Sequence, residues 1–424
     1  MNALLAEPGS LEETGLSLGF LSDLAVKMFY FAGSLSGFEL AESLKLPFHS
    51  VVERLLEFMK REQFCQIRGS GSLVAGSFQY VITDQGRDKA KEVLERNQYV
   101  GPAPVPLTHY SKVVSSQRIR DSVISPQVVR QSLAHLVLSQ ALQDRVGAAI
   151  NSGQAIFLYG LSGNGKTVIA EAMGSMLLGQ VYVPYAVEVD GQVIRVFDPL
   201  VHEVVSEPVD LKTNNGSGSR QDTRWIRCNR PVVTTGGELV MESLDLNYNP
   251  VIRYYEAPLQ MKANNGVFLI DDFGRQLVRP RDLLNRWIVP LERQVDFLTL
   301  HTGKKIEIPF EELIVFSTNL DPKSLVDEAF LRRIRHKIHI PAPTFDEFRE
   351  IFRRVCRSRN VSYDEEVLVY LLDTYYVKAN RGLRSCHPRD LIFQAMDAAR
   401  FLGLPQRLTK ELIDFACNSY FVEL

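Results

Sequence analysis

Cysteine is scarce in this sequence. Five residues in 424, Cys65, Cys228, Cys356, Cys386 and Cys417, include no Cys-x-x-Cys pair. That excludes a disulfide framework and a zinc ribbon, and fits scattered thiols in a reducing compartment. No apolar run approaches the ~18 residues a membrane helix needs, so no membrane insertion is expected. The first twenty residues lack a basic stretch followed by an apolar one, so no secretory leader is expected and the expected location is cytoplasmic. Neither sign of charge dominates: 48 Lys and Arg stand against 50 Asp and Glu, a net of −2. This excludes a globally basic coat for nucleic acid. No Ser/His/Asp or Cys/His grouping points to a nucleophilic centre.

What is present suits a large core. Hydrophobic residues make up 45% and charged residues 23% of the chain, and the length implies two to four domains. Residues 1–100 read as a small α+β domain. A short helix and turn at 37–47 precede an amphipathic helix with Val51, Val52, Leu55, Leu56 and Met59 at helical spacing. Strand-like runs follow at 64–68 and 78–83, so the order resembles a winged helix-turn-helix. The segment Gly101-Pro-Ala-Pro-Val-Pro106 predicts a stiff linker, because repeated prolines fix φ and deny helix. It opens an approach segment over 101–127. A helix is predicted over 128–149. From 154 onward apolar strands alternate with helices, the pattern of a parallel α/β sheet. This α/β unit spans 128–343, and residues 344–424 read as helical. Asn214-Asn-Gly-Ser-Gly-Ser219 is the one low-complexity patch and a predicted loop.

The strongest chemical signal is the apolar run Ala155-Ile-Phe-Leu-Tyr159 followed by Gly160-Leu-Ser-Gly-Asn-Gly-Lys-Thr167. A buried strand running into GxxxxGK[ST] and then a helix is the context of a phosphate loop. Gly160, Gly163 and Gly165 let backbone amides turn around an anion, with Asn164 and Val168 beside them. Lys166 would reach the β- and γ-phosphates, and the Thr167 hydroxyl would bind Mg²⁺. A second strand, Val267-Phe-Leu-Ile270, delivers Asp271 and Asp272 at its C-terminal end, where open parallel sheets bind ligands. Asp271 would complete the Mg²⁺ shell and Asp272 would polarise the attacking water. A third strand, Leu313-Ile-Val-Phe-Ser-Thr318, ends on Asn319, which could orient that water. Arg332 and Arg333 follow an apolar helical turn. Arg389 stands in the first turn of a helix begun by His387-Pro388.

This ordered set resembles the AAA+ ATPases over residues 107–424. In the family's terms Gly160 to Thr167 are similar to Walker A and Val267 to Asp272 to Walker B. Asn319 is similar to sensor 1, Arg332 or Arg333 to an arginine finger, and Arg389 to sensor 2. The resemblance implies a P-loop core with a helical lid, ATP and Mg²⁺ as ligands, and hydrolysis to ADP and phosphate. It further implies a homo-oligomer, in which a neighbour donates the finger to a ring of six. One departure concerns rate: the family usually has glutamate where this chain has Asp272, one methylene shorter, so slow hydrolysis or a nucleotide-gated scaffold is a rival reading.

Two further features bear on partners. Residues 294–308 alternate around His301-Thr-Gly-Lys304, a β-hairpin pattern similar to the hairpin before sensor 1 in the clade of MoxR-type ATPases and enhancer-binding activators. There Lys304 and Lys305 would face the ring's channel. Asp271 follows Thr167 by 104 positions, far beyond a simple crossover, so an insertion is expected, with a hairpin at 187–196. Residues 1–100 hold ten basic and thirteen acidic side chains. This favours a protein partner over nucleic acid, which stays open through the winged-helix pattern.

Overall fold

A computed structural model of the chain describes residues 3–68, 75–121, 123–177, 179–205, 220–325 and 331–421. The loop at 214–219, most of the turn at 69–76 and the segment 327–330 lie outside the described residues.

The N-terminal unit contains helices Leu18–Ala32, Gly37–Leu44, Glu53–Arg61 and Asp84–Arg96. Strands β1 (Ser34–Ser36), β2 (Cys65–Ile67) and β3 (Gln79–Ile82) pair antiparallel in the order β1-β3-β2. The second helix starts where it does because Ser36 and Glu39 cap it reciprocally. Ser36 Oγ accepts from Glu39 N at 3.2 Å and Glu39 Oε2 accepts from Ser36 N at 2.6 Å. Val51, Val52, Leu55, Leu56 and Met59 all enter one buried cluster, as their spacing predicts.

The central core is a five-stranded parallel sheet. It comprises β5 (Ile156–Tyr159), β10 (Val232–Thr235), β13 (Val267–Ile270), β16 (Leu313–Thr318) and β17 (His336–His339), in the order β10-β13-β16-β5-β17. Both faces are covered. Ile156, Leu158, Leu269 and Val315 join one cluster, while Phe157, Phe268, Ile270 and Phe316 join the other. This period-2 division is why the strands read as unbroken apolar runs. Each such side chain contributes about 1.5–3 kcal/mol by leaving water. The helix predicted over 128–149 is in fact two, Pro126–Ser132 and Gln140–Asn151. Ser139 restarts it, its hydroxyl accepting from Leu142 N.

A helical C-terminal region follows, with helices Phe345–Ser358, Glu365–Leu372, His387–Phe401 and Lys410–Tyr420 around their own core. Thr344 and Glu347 form the capping box that opens it. The α/β class with a parallel sheet and a helical C-terminal region, expected from sequence, is the observed architecture.

The insertion forms a second sheet. Strands β4 (Val105–Pro106), β7 (Ala186–Val189), β8 (Gln192–Arg195), β11 (Asn247–Asn249) and β12 (Tyr254–Glu256) lie in the order β11-β12-β8-β7-β4. A separate ribbon pairs β6 (Gln180–Pro184) with β9 (Trp225–Asn229). Side chains alternate across the sheet. Ala186, Val193 and Tyr254 face the N-terminal core, whereas Val187, Ile194 and Tyr255 join a cluster with Leu298, Leu300, Ile306 and Ile308. The latter four belong to the hairpin β14 (Val295–Thr299) and β15 (Lys305–Pro309). N-terminal unit, insertion sheet and hairpin are thus three packed layers. The proline segment is part of this block rather than a free spacer: Val105 pairs with Val187, and Ala103 N donates to Leu44 O at 2.8 Å. A fully buried Arg224–Asp222 pair fastens it, Arg224 also donating to Thr14 O at 2.9 Å and Pro104 O at 3.3 Å.

Candidate active site

Three adjacent parallel strands bring their C-terminal ends to one place. β5 runs into Gly160, β13 into Asp271 and Asp272, and β16 into Asn319. The loop 160–165 needs its glycines for shape. Gly160 has φ +144° and a Cβ there would meet Ile340 O at 2.3 Å; Gly163 has φ +81° and a Cβ would meet Cys386 Sγ at 2.5 Å. Gly165, at φ +83°, then starts the helix Lys166–Met176.

Lys166 is 6% exposed and its Nζ reaches across the crevice. It donates to Gly160 O at 3.0 Å, Leu161 O at 3.1 Å and Asn319 Oδ1 at 2.5 Å. Burial pulls the Lys166 ammonium below the usual lysine range, the carboxylates of Asp272 and Asp271 pull it back, and the Arg384 guanidinium pushes it down. Thr167 Oγ1 donates to Asp271 Oδ2 at 2.9 Å. Asn319 Nδ2 donates to Asp272 Oδ1 at 3.0 Å. Asp272 holds φ +48°, a left-handed conformation that Asp tolerates better than most residues. Lys166, Thr167, Asp271, Asp272 and Asn319 therefore form one connected polar cluster.

The structure distributes the remaining candidates around it. Val168 is 40% exposed on the first turn of the helix. Asn164 is 3% exposed; its Oδ1 accepts from Ser385 N at 3.3 Å, and its buried Nδ2 has no partner among the described residues. Arg333 lies just before the edge strand β17 and pairs with Glu292 at 2.6 Å; Arg332 precedes it. Arg389 pairs with its neighbour Asp390 at 2.9 Å and its side chain is 61% exposed. The guanidinium at the glycine loop is that of Arg384, which donates to Ser162 O at 3.4 Å. Cys386 N also donates to Gly163 O at 2.9 Å. Sequence reasoning passed over Arg384 because it stands in a loop before the helix. Its proximity depends on how the C-terminal region folds back.

A cavity of about 280 Å³ adjoins the loop and was not read from the sequence. Leu136, Val137 and Leu138 line it from the break between the two helices, Asn164 and Ile169 from the loop and its helix, and Val355 from the C-terminal region. Arg354 ties these parts together by donating to Ala134 O at 2.8 Å and Leu136 O at 3.2 Å. An apolar slot with an orphaned amide donor suits a flat heteroaromatic ring bearing acceptors. Thr167 and Asp271 offer hard oxygen donors of the kind Mg²⁺ takes.

Residues 344–419 match a family described as a domain of unknown function (DUF8689). No curated protein matches the chain. Among solved structures, NtrX from Brucella abortus in complex with ATP is similar at 14% identity and a TM-score of 0.39, over 78% of this chain and 62% of that one. RuvB from Thermotoga maritima, the Holliday junction branch migration motor, is similar at 12% identity and a TM-score of 0.38, over 68% of this chain and 70% of that one. The chain thus spans less than two thirds of the NtrX chain.

Proposed function

We propose that this chain is an ATP-binding and ATP-hydrolysing protein of the AAA+ type that remodels a protein partner. The observation that carries the reading is the convergence of Lys166, Thr167, Asp271, Asp272 and Asn319 at the carboxyl ends of three parallel strands. The glycine loop wraps the triphosphate, Lys166 leaves its carbonyl and amide acceptors for the β- and γ-phosphates, and the base occupies the slot beside Asn164. Thr167 and Asp271 would hold Mg²⁺, which neutralises charge on the phosphate oxygens when bound. Asp272 accepts a hydrogen bond from the attacking water, and Asn319 fixes Asp272 through the bond it already makes. Arg384 reaches the phosphates from the C-terminal side, with Arg389 behind it. Arg332 or Arg333 serves the site of an adjacent subunit in a homo-oligomer, most simply a hexamer.

The partner reading rests on the first hundred residues. Their net charge is −3, and two side-chain hydrogen bonds tie the turn before the helix Glu53–Arg61 to other parts of the chain. Thr223 Oγ1 donates to Lys45 O at 3.0 Å and Ser50 Oγ to Pro8 O at 3.1 Å. The net negative charge disfavours docking of that helix in a DNA groove. The five thiols, all free, suit a cytoplasmic setting. Among the described residues no helix is long and apolar enough to cross a membrane.

The test is calorimetric titration of ATP with Mg²⁺ into the full chain, alongside phosphate release. Tight binding with turnover is expected for the wild type and neither for Lys166→Ala. Binding retained in Lys166→Ala contradicts the site. Salt-sensitive binding of duplex DNA to the wild type would instead favour the nucleic-acid alternative.

A further inference from the structure

A second cavity, of about 210 Å³, lies between the N-terminal unit and the turn joining β7 to β8. One charge in its wall stands out. Lys27, on the helix Leu18–Ala32, is 4% exposed, and its Nζ donates to the carbonyl of Asn97 at 3.1 Å. Among the described residues it forms no ion pair. Asp23, one turn earlier, is held by Lys89 at 3.8 Å and Arg96 at 3.9 Å. Asp190, across the cavity, is paired with Lys304 of the hairpin. An ammonium buried without a carboxylate is costly unless something compensates it.

The cavity can supply that compensation. Lys27 has three N–H donors and one acceptor among the described residues, so two remain for a ligand. Phe20, Leu24 and Val193 give it an apolar floor. At ~30 Å³ per water it has room for roughly seven water molecules, the size of a small organic acid. We propose that this cavity binds a small monocarboxylate with an apolar body, the carboxylate taken by Lys27 and the body laid on Phe20, Leu24 and Val193. Burial pulls the Lys27 ammonium down to about 8, Asp23 opposing it, and a bound anion would hold its proton in place. Because Asp190 both lines the cavity and holds Lys304, the site abuts the hairpin that leads into β16 and Asn319. The site does not depend on the ATPase reading.

The experiment uses the full chain with benzoate, phenylacetate and hexanoate at millimolar concentration, each against its neutral amide. The acids raise the melting temperature and bind about tenfold or more tightly than the amides, the difference a charged hydrogen bond supplies. Lys27→Met removes that discrimination and leaves ATP affinity unchanged. The inference is overturned if none of the three acids stabilises the wild type, or if Lys27→Met binds them equally well. Should Lys27→Met not fold, acetylation of Lys27 in the wild type is followed by mass spectrometry. Saturating benzoate slows it, and an unaltered rate overturns the inference.

Discussion

The ammonium of Lys166 and the amide oxygen of Asn319 lie 2.5 Å apart although 153 positions separate them in the chain. The same Asn319 donates to Asp272, so one side chain joins Lys166 to the Asp272 carboxylate. On the function proposed above, an incoming triphosphate would draw Lys166 away from Asn319 and free the amide oxygen of Asn319.

Asn319→Ala therefore separates binding from chemistry. ATP affinity is kept within a few-fold, because Lys166 retains its phosphate contacts. The turnover number falls by about 10²-fold, the scale of a lost positioning group. Calorimetry and steady-state phosphate release on the same preparation check both halves. A rise in KM of that size with kcat unchanged would place Asn319 in ground-state binding.

Asp272 gives a paired comparison. Asp272→Asn should bind ATP normally and lose about 10²–10⁴-fold in turnover. Asp272→Glu is the sharper case. Its backbone sits at φ +48°, where the longer side chain is less at ease, and it must give up or re-aim the bond from Asn319. We expect a rate between those of the wild type and Asp272→Asn. A rate above the wild type would show that the short carboxylate limits hydrolysis.

Arg332 and Arg333 are tested by concentration. If either acts on a neighbour's nucleotide, activity per subunit falls as the protein is diluted to monomers, and their alanine variants lose about 10³-fold in the assembled state. Mixing either variant with Lys166→Ala should restore partial activity, since each supplies what the other lacks. Dilution-independent activity would confine the chemistry to one chain.

Glu312 sets a pH dependence of stability. Burial raises the Glu312 pKa well above the ordinary 4.5; backbone hydrogen bonds from Glu312 and Glu311 oppose the rise, and the carboxylates of Asp296 and Glu311 add to it. The folded chain therefore binds a proton that the unfolded chain releases. Stability is full below pH 4.5 and is lost as pH rises toward the folded value. Glu312→Gln removes that loss. Its melting temperature should match the wild type near pH 4.5 and exceed it by a margin that grows toward pH 8, as read by calorimetry across that range.

The three packed layers predict that the hairpin β14–β15 moves with the insertion sheet. His301 stacks on Tyr248 at 4.2 Å, its amide donates to Tyr255 Oη at 2.9 Å, and Lys304 pairs with Asp190. A cleavable bis-thiol-reactive crosslinker bridging Asp190→Cys and Lys304→Cys should leave ATP turnover within about twofold of the cleaved form, because it joins parts already joined by a buried core. Loss of turnover on crosslinking, recovered on cleavage of the linker, would show that the hairpin slides against the insertion.

The sequence by itself determined the local elements and the chemistry that chain neighbours can express. Gly160, Gly163, Gly165, Lys166 and Thr167 share one loop, Asp271 and Asp272 end one strand, and unbroken apolar runs mark buried parallel strands, because sterics, hydrogen bonding and side-chain period act over a few residues. Tertiary structure alone decided what meets across long separations. It brought Arg384 to the glycine loop, which no local pattern marked. It opened a slot at Leu136, Val137 and Leu138 where periodicity suggested continuous helix. It buried one face of a hairpin whose exposed-looking turn carries Lys304. No local pattern encodes such encounters, since they follow from which apolar faces find each other once the chain collapses.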